Sequence, residues 1–117
     1  MRHRRGNAKL GRPTDQRLAM IRSLVKGLFE NGRIETTVDR AKAARRVAEQ
    51  LVTLGKKGDL TSRRRALQIL PNADVVKLIF AETAPRFNDR PGGYTRIVRT
   101  GFRRGDAAEM SLLEFVA

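Results

Sequence analysis

The apolar side chains Leu18, Ile21, Leu24, Val25 and Leu28 fall at spacings of three and four, and Arg33-Ile34-Glu35-Thr36-Thr37 then alternates every second residue. The first spacing is that of one helix face, and the second, short and β-branched, is that of a strand. Asn31-Gly32 lies between them, where a left-handed residue ends a helix at little steric cost. A helix that hands over to a strand at a glycine constrains this chain more than any other feature. It predicts an α+β architecture in which helices and a sheet share one core.

The rest of the chain extends that pattern. A second helix is predicted from Val38 to Lys57, with Ala44, Val47, Ala48, Leu51 and Leu54 inward and Gly58 as its stop. A third runs from about Thr61 to Leu70 and a fourth from Ala73 to Thr83, closed by Pro85, because the residue before a proline disfavours the α region. Arg86 to Gly93 reads as a loop around Pro91-Gly92-Gly93, and Tyr94 to Thr100 and Ala108 to Val116 read as strands joined through Gly101 to Ala107. The order is helix, strand, three helices, two strands, expected as a two-layer α/β unit with the helices on one face of a small sheet.

With 117 residues the chain has the size of one domain. Residues 1–13, MRHRRGNAKLGRP, hold Leu10 as their only sizeable apolar side chain besides Met1, too little to offset their ordering entropy. They are read as an extended basic arm, which leaves 14–117 as a single globular domain.

Several function classes are disfavoured by composition. Cysteine is absent and His3 is the sole histidine, so disulfides, thiol nucleophiles and Cys/His metal sites are excluded and no imidazole is placed for a catalytic triad. The carboxylate pairs Glu35/Asp39 and Asp106/Glu109 lack the other parts of an active site. Neither Pro91-Gly92-Gly93-Tyr94 nor Gly101-Phe102-Arg103-Arg104-Gly105-Asp106 matches a nucleotide loop. No enzyme, cofactor, metal or small-molecule substrate is expected. Apolar runs fall far short of a membrane span, and the basic N-terminus lacks the apolar stretch of a secretory signal. The expectation is a cytoplasmic protein with no membrane partner.

Charge points to the partner. The chain carries 25 Lys and Arg against 12 Asp and Glu, a net +13, which self-repels unless a polyanion neutralises it. Residues 1–22 contribute +6 and residues 86–104 contribute +5, while residues 105–117 contribute −3. Of the basic residues 19 are Arg, whose planar fork grips phosphate and stacks on bases, although a GC-rich genome also favours Arg. Nucleic acid is the expected partner, and from charge alone RNA and DNA both remain open.

Three regions concentrate the candidate contacts. In the arm, Arg2, His3, Arg4, Arg5, Lys9 and Arg12 form a thin polycation suited to threading into folded RNA; a solvated tail is the alternative. On the third helix, 100° per residue sets Arg65 opposite Leu67 and Arg63 about 40° from it, so Arg63 can lie beside the core while Arg65 faces out. That arginine run suits an RNA contact or a solvated face equally. In the late region Arg96 shares a strand face with Tyr94 and Val98, and Arg99 shares the other with Thr95 and Ile97. Phe102, among Gly101, Arg103 and Arg104, either stacks on an unpaired base or folds back over the core edge. The candidate RNA-binding set is the six arm residues with Arg17, Arg22, Arg63, Arg64, Arg90, Tyr94, Arg96, Arg99, Phe102, Arg103 and Arg104.

Several blocks are more specific than any of these patterns: Met1-Arg2-His3-Arg4, Leu28-Phe29-Glu30, Arg33-Ile34-Glu35-Thr36-Thr37, Ala41-Lys42, Ala84-Pro85-Arg86-Phe87 and Arg90-Pro91-Gly92-Gly93-Tyr94-Thr95-Arg96-Ile97. Gly101, Arg103, Gly105-Asp106, Ala108, Met110 and Glu114 complete the set. In that order, across nearly the whole chain, they resemble the bacterial large-subunit ribosomal protein L-seventeen family. The chain departs from similar proteins at Gln16, where a histidine is usual, and at Arg22-Ser23-Leu24, where an Arg-Asn-Leu run is usual. The resemblance implies a structural constituent of the large ribosomal subunit, a ribonucleoprotein of the translation machinery. It implies binding to large-subunit ribosomal RNA near the polypeptide exit tunnel by phosphate neutralisation, with other large-subunit proteins as neighbours and no reaction catalysed.

Overall fold

The computed structural model describes residues 14–116. Along them run α1 (Thr14–Asn31), β1 (Arg33–Thr37), α2 (Val38–Lys57), α3 (Leu60–Ile69), α4 (Ala73–Leu78), β2 (Thr95–Phe102) and β3 (Glu109–Phe115). The α+β class and the element order match the sequence reading.

Local chemistry sets most of the boundaries. Gly32 takes φ +85° and donates its N–H to the Leu28 carbonyl at 2.7 Å, which ends α1. Thr37 caps α2 by accepting from the Arg40 N–H, and Gly58, at φ +72°, closes it on the Leu54 carbonyl. The next two helices start on side-chain caps: Asp59 accepts from the Ser62 N–H at 2.7 Å and Asn72 from the Val75 N–H at 3.1 Å. Each cap satisfies a backbone donor that the first helical turn leaves without a partner.

The fourth helix, expected from Ala73 to Thr83 with Pro85 as its stop, is α-helical only to Leu78, and helical turns run on past Pro85. It widens into a π turn over Ile79–Thr83 and tightens into a 3-10 turn over Ala84–Phe87. Pro85 is tolerated because it occupies the second position of that turn, where its missing N–H is not needed. The π turn lies against Gly55 of α2, at which an added Cβ would stand 2.7 Å from the Ala84 Cβ.

β3 lies between β1 and β2, antiparallel to both. Alternation along the strands sends Ile34, Leu113 and Ile97 inward in one row and Thr36 and Ser111 in another, while Glu35, Leu112 and Val98 share the outer face. Ser111 is fully buried, and its hydroxyl donates to the Thr36 carbonyl at 3.2 Å, as a buried hydroxyl must do to avoid a desolvation cost. The core joins Val25, Leu28 and Phe29 of α1, Ala41, Ala44, Ala48, Leu51 and Val52 of α2, and Leu113 of β3.

Two details differ from the periodicity. Leu18 is 42% exposed, because the first turns of α1 reach past the core. On α3 the buried face is Ser62 and Ala66 rather than Leu67, which is 36% exposed; a small alanine allows α3 to pack closely on α2.

Candidate nucleic-acid interface

The late basic region becomes a β-hairpin that supplies much of its own counter-charge. In the β2–β3 ladder Arg96 stands across from Glu114, and its Nη2 lies 2.9 Å from the carboxylate. Arg99 pairs with Glu109 at 3.3 Å. At the tip Arg103 makes two parallel bonds to Asp106, Nε to Oδ1 at 3.1 Å and Nη2 to Oδ2 at 2.5 Å. Asp106 also accepts from the Ala108 N–H at 3.2 Å. These contacts, with the Arg103 hydrogen bond foremost, draw the Asp106 carboxyl down to about 2. The −3 of the final segment therefore offsets arginines of the preceding one, an arrangement set by strand register.

The tip is also fixed through its backbone. The Arg103 N–H bonds to the Ala108 carbonyl at 2.7 Å and the Ala107 N–H to the Arg103 carbonyl at 3.0 Å. The register shifts between Arg99 and Gly101, leaving Thr100 as an extra residue, and Gly101 takes φ +135°, a conformation open to glycine. On this platform Phe102 is 74% exposed, so it does not fold back over the core edge. Arg104 is exposed beside it, with no ion pair among the described residues.

Two open depressions flank the hairpin. One, of about 460 Å³, is bordered by Arg40 and Lys42 from the start of α2 and by Arg99 and Glu109. The other, of about 370 Å³, is lined by Glu35, Thr100, Gly101, Phe102, Arg103 and Met110. Arg40 and Lys42 were missed by the sequence reading, because only the sheet pairing brings α2's first turn beside β2. Glu35, weighed as one of a carboxylate pair without the rest of an active site, was missed as a wall of this depression.

The other candidates divide by what holds them. Arg22 donates through Nε to the Ile69 carbonyl at 3.1 Å, tying α1 to the end of α3; Arg17 is half-buried on α1. Arg63 lies 4.8 Å over the Phe80 ring, beside the core as predicted, and Arg65 bonds to Gln68. Arg64 and Arg90 are exposed. Tyr94 must be corrected: it is 2% exposed, 5.3 Å from the Phe87 ring, with its hydroxyl 3.1 Å from Lys56 Nζ. The same ammonium donates to the Arg90 carbonyl. Tyr94 closes the core and offers no face for a base. Beside it, Glu49 accepts from the Thr95 N–H and hydroxyl, at 3.0 and 2.8 Å. Arg2, His3, Arg4, Arg5, Lys9 and Arg12 lie outside the described residues.

The described residues contain no cluster of acidic or histidine side chains able to hold a metal, and no helix long and apolar enough to cross a membrane. What they present is a basic surface on a small α+β scaffold. The sequence model of the family described as Ribosomal protein L17 matches residues 20–116. Relatives named large ribosomal subunit protein bL17 are similar over nearly the full length. That of Finegoldia magna is 62% identical over 108 residues, covering 92% of this chain and 82% of its own. That of Clostridium tetani is 54% identical over 111 residues, covering 95% and 98%. That of Thermodesulfovibrio yellowstonii is 53% identical over 116 residues, covering 99% and 87%. The matches define a bacterial ribosomal protein, a structural component of a ribonucleoprotein and not an enzyme. The chain belongs to the ribosomal protein L17 family, structural constituents of the large ribosomal subunit.

Proposed function

We propose that this protein binds large-subunit ribosomal RNA by phosphate neutralisation, in the cytoplasm, near the polypeptide exit tunnel and beside other large-subunit proteins. Residues 1–13 act as an RNA-penetrating arm and residues 14–117 as a single folded unit. One observation carries this reading. After the hairpin arginines have met their carboxylates, exposed bases such as Arg64, Arg90 and Arg104 still stand without an ion pair among the described residues, on a chain of net +13. Such an excess is matched by a dense polyanion.

The test is co-sedimentation with large subunits after a moderate salt wash, joined to a competition between structured RNA and duplex DNA. Retention on subunits with preference for RNA is the expected result; release into the supernatant, or preference for DNA, overturns the proposal. Deleting residues 1–12 is expected to make the slope of log affinity against log salt shallower by about 0.7 to 0.9 for each phosphate that the shortened chain no longer neutralises. An unchanged slope would show the arm to be a solvated tail.

A further inference from the structure

We propose that the depression beside the hairpin tip is a pocket for a single unpaired guanine of ribosomal RNA, with Phe102 as its stacking wall and Glu35 as its reader. The inference rests on the RNA-binding reading above and adds the chemical class of ligand taken at one site.

Four features of the site lead there. First, Phe102 is 74% exposed at the end of β2, the most exposed of the chain's large hydrophobic side chains among the described residues. Holding an aromatic ring in water on an ordered strand forgoes burial worth about 1.5–3 kcal/mol, so the ring is accounted for by a ligand that covers it. Second, the ring stands on a preorganised support: the bidentate Arg103–Asp106 pair and the two backbone bonds across the tip fix the loop. A ligand that stacks there therefore spends little free energy on ordering it. Third, apart from its chain neighbours, Gly101 has no atom within 4 Å of where its Cβ would stand, so that part of the floor is open to a flat molecule. Fourth, the polar wall is Glu35, which is exposed and has no ion pair among the described residues.

The carboxylate selects the base. Ionised Glu35 only accepts hydrogen bonds. Guanine presents two adjacent donors on its Watson–Crick edge, N1–H and the N2 amino group, and both can meet one carboxylate. Adenine and cytosine present one amino donor beside a ring-nitrogen acceptor, which a carboxylate repels. Arg104 alongside, exposed and without an ion pair among the described residues, supplies positive charge for the attached phosphates. That charge favours a nucleotide over an apolar protein segment as the occupant.

Kethoxal, which modifies the N1/N2 edge of unpaired guanine, tests this on large subunits assembled with the full-length chain, with Phe102→Ala or with Glu35→Gln. The expected result is one guanine shielded by the unaltered protein and exposed by both variants, each still bound to the subunit, with the missing stacking partner weakening the site by roughly five- to a hundredfold. A photo-crosslinking phenylalanine analogue at position 102 is expected to join ribosomal RNA. Variants that bind normally and change no guanine, or a crosslink only to a neighbouring protein, overturn the pocket while leaving RNA binding by the rest of the chain intact. Failure of the unaltered chain to join subunits overturns both proposals.

Discussion

Arg96 and Glu114 stand directly opposite each other across the β2–β3 ladder, with the guanidinium 2.9 Å from the carboxylate on the outer sheet face. Cross-strand partners of opposite sign hold a register that apolar alternation alone also favours. Both groups keep contact with water, 59% and 20% exposed in their side chains. A double-mutant cycle with Arg96→Ala and Glu114→Ala is therefore expected to give a coupling of about 0.2–1 kcal/mol, read from denaturant unfolding.

The same pairing redistributes the RNA contacts expected of the hairpin. Arg104→Ala is predicted to reduce the salt slope of RNA binding by about 0.7 to 0.9, because its guanidinium has no ion pair to give up. Arg96→Ala is predicted to change the slope by much less, since it is already screened by Glu114. Equal effects at both positions would contradict this division.

Two glycines in helices are predicted to respond to alanine with opposite sign. At Gly27 an added Cβ meets Ile34 Cγ2 at 3.5 Å, an ordinary contact. Gly27→Ala is expected to stabilise by about 0.5–1 kcal/mol through the lower entropy of the unfolded chain. At Gly55 the added atom stands 2.7 Å from Ala84 Cβ and 3.3 Å from Ile79 Cγ2. The helix gain is outweighed there, and Gly55→Ala is expected to destabilise by about 1–3 kcal/mol. Thermal unfolding of the two variants side by side checks both signs.

Leu51 is fully buried in α2, within the cluster that joins α1, the sheet and the later helices. Leu51→Ala is expected to cost about 2–5 kcal/mol through reduced burial and the cavity left behind, measured by urea unfolding of the full chain.

At the hairpin tip the Asp106 carboxyl is held at about 2 against an ordinary 3.8, chiefly by the Arg103 hydrogen bond. A carboxyl depressed on folding contributes stability above its unfolded value and loses it as pH falls through the folded one. Amide protection at Arg103, Ala107 and Ala108 is therefore expected to stay constant above pH 4 and to fall between about 4 and 2. Asp106→Asn is expected to flatten that acid transition, and NMR exchange at those amides reports it.

Local signals were read correctly from the sequence because they are carried by neighbours in the chain. The helical period from Ile21 to Leu28, the Asn31-Gly32 break and Gly58 each mark a feature that the structure keeps, although Leu18 at the head of that period is exposed. Features that depend on distant residues were not legible. Tyr94 sits in a basic segment and reads as a base-stacking ring, yet Lys56 and Phe87 pull it into the core. Leu67 outranks Ala66 in hydropathy, but the close approach of α2 selects the smaller side chain for burial. Pro85 reads as a terminator, and only the 3-10 turn gives it a harmless position. At the candidate interface, the arginines were found from their density in the chain. The cross-strand partners Glu114 and Glu109, and the placing of Glu35 and Phe102 around one depression, depend on pairing between strands far apart in the chain.

The strand order also has a consequence for how the molecule is made. The last strand to leave a translating ribosome, β3, is the central one, and β1 and β2 touch it rather than each other. A nascent chain that stops before Glu109 has two strands with nothing to pair with, so the sheet closes only once β3 has been made. Until then the helices must hold the chain together, and the inner faces of Ile34 and Ile97 wait for Leu113. A protein built this way commits its sheet around its third strand rather than piece by piece as the first two emerge.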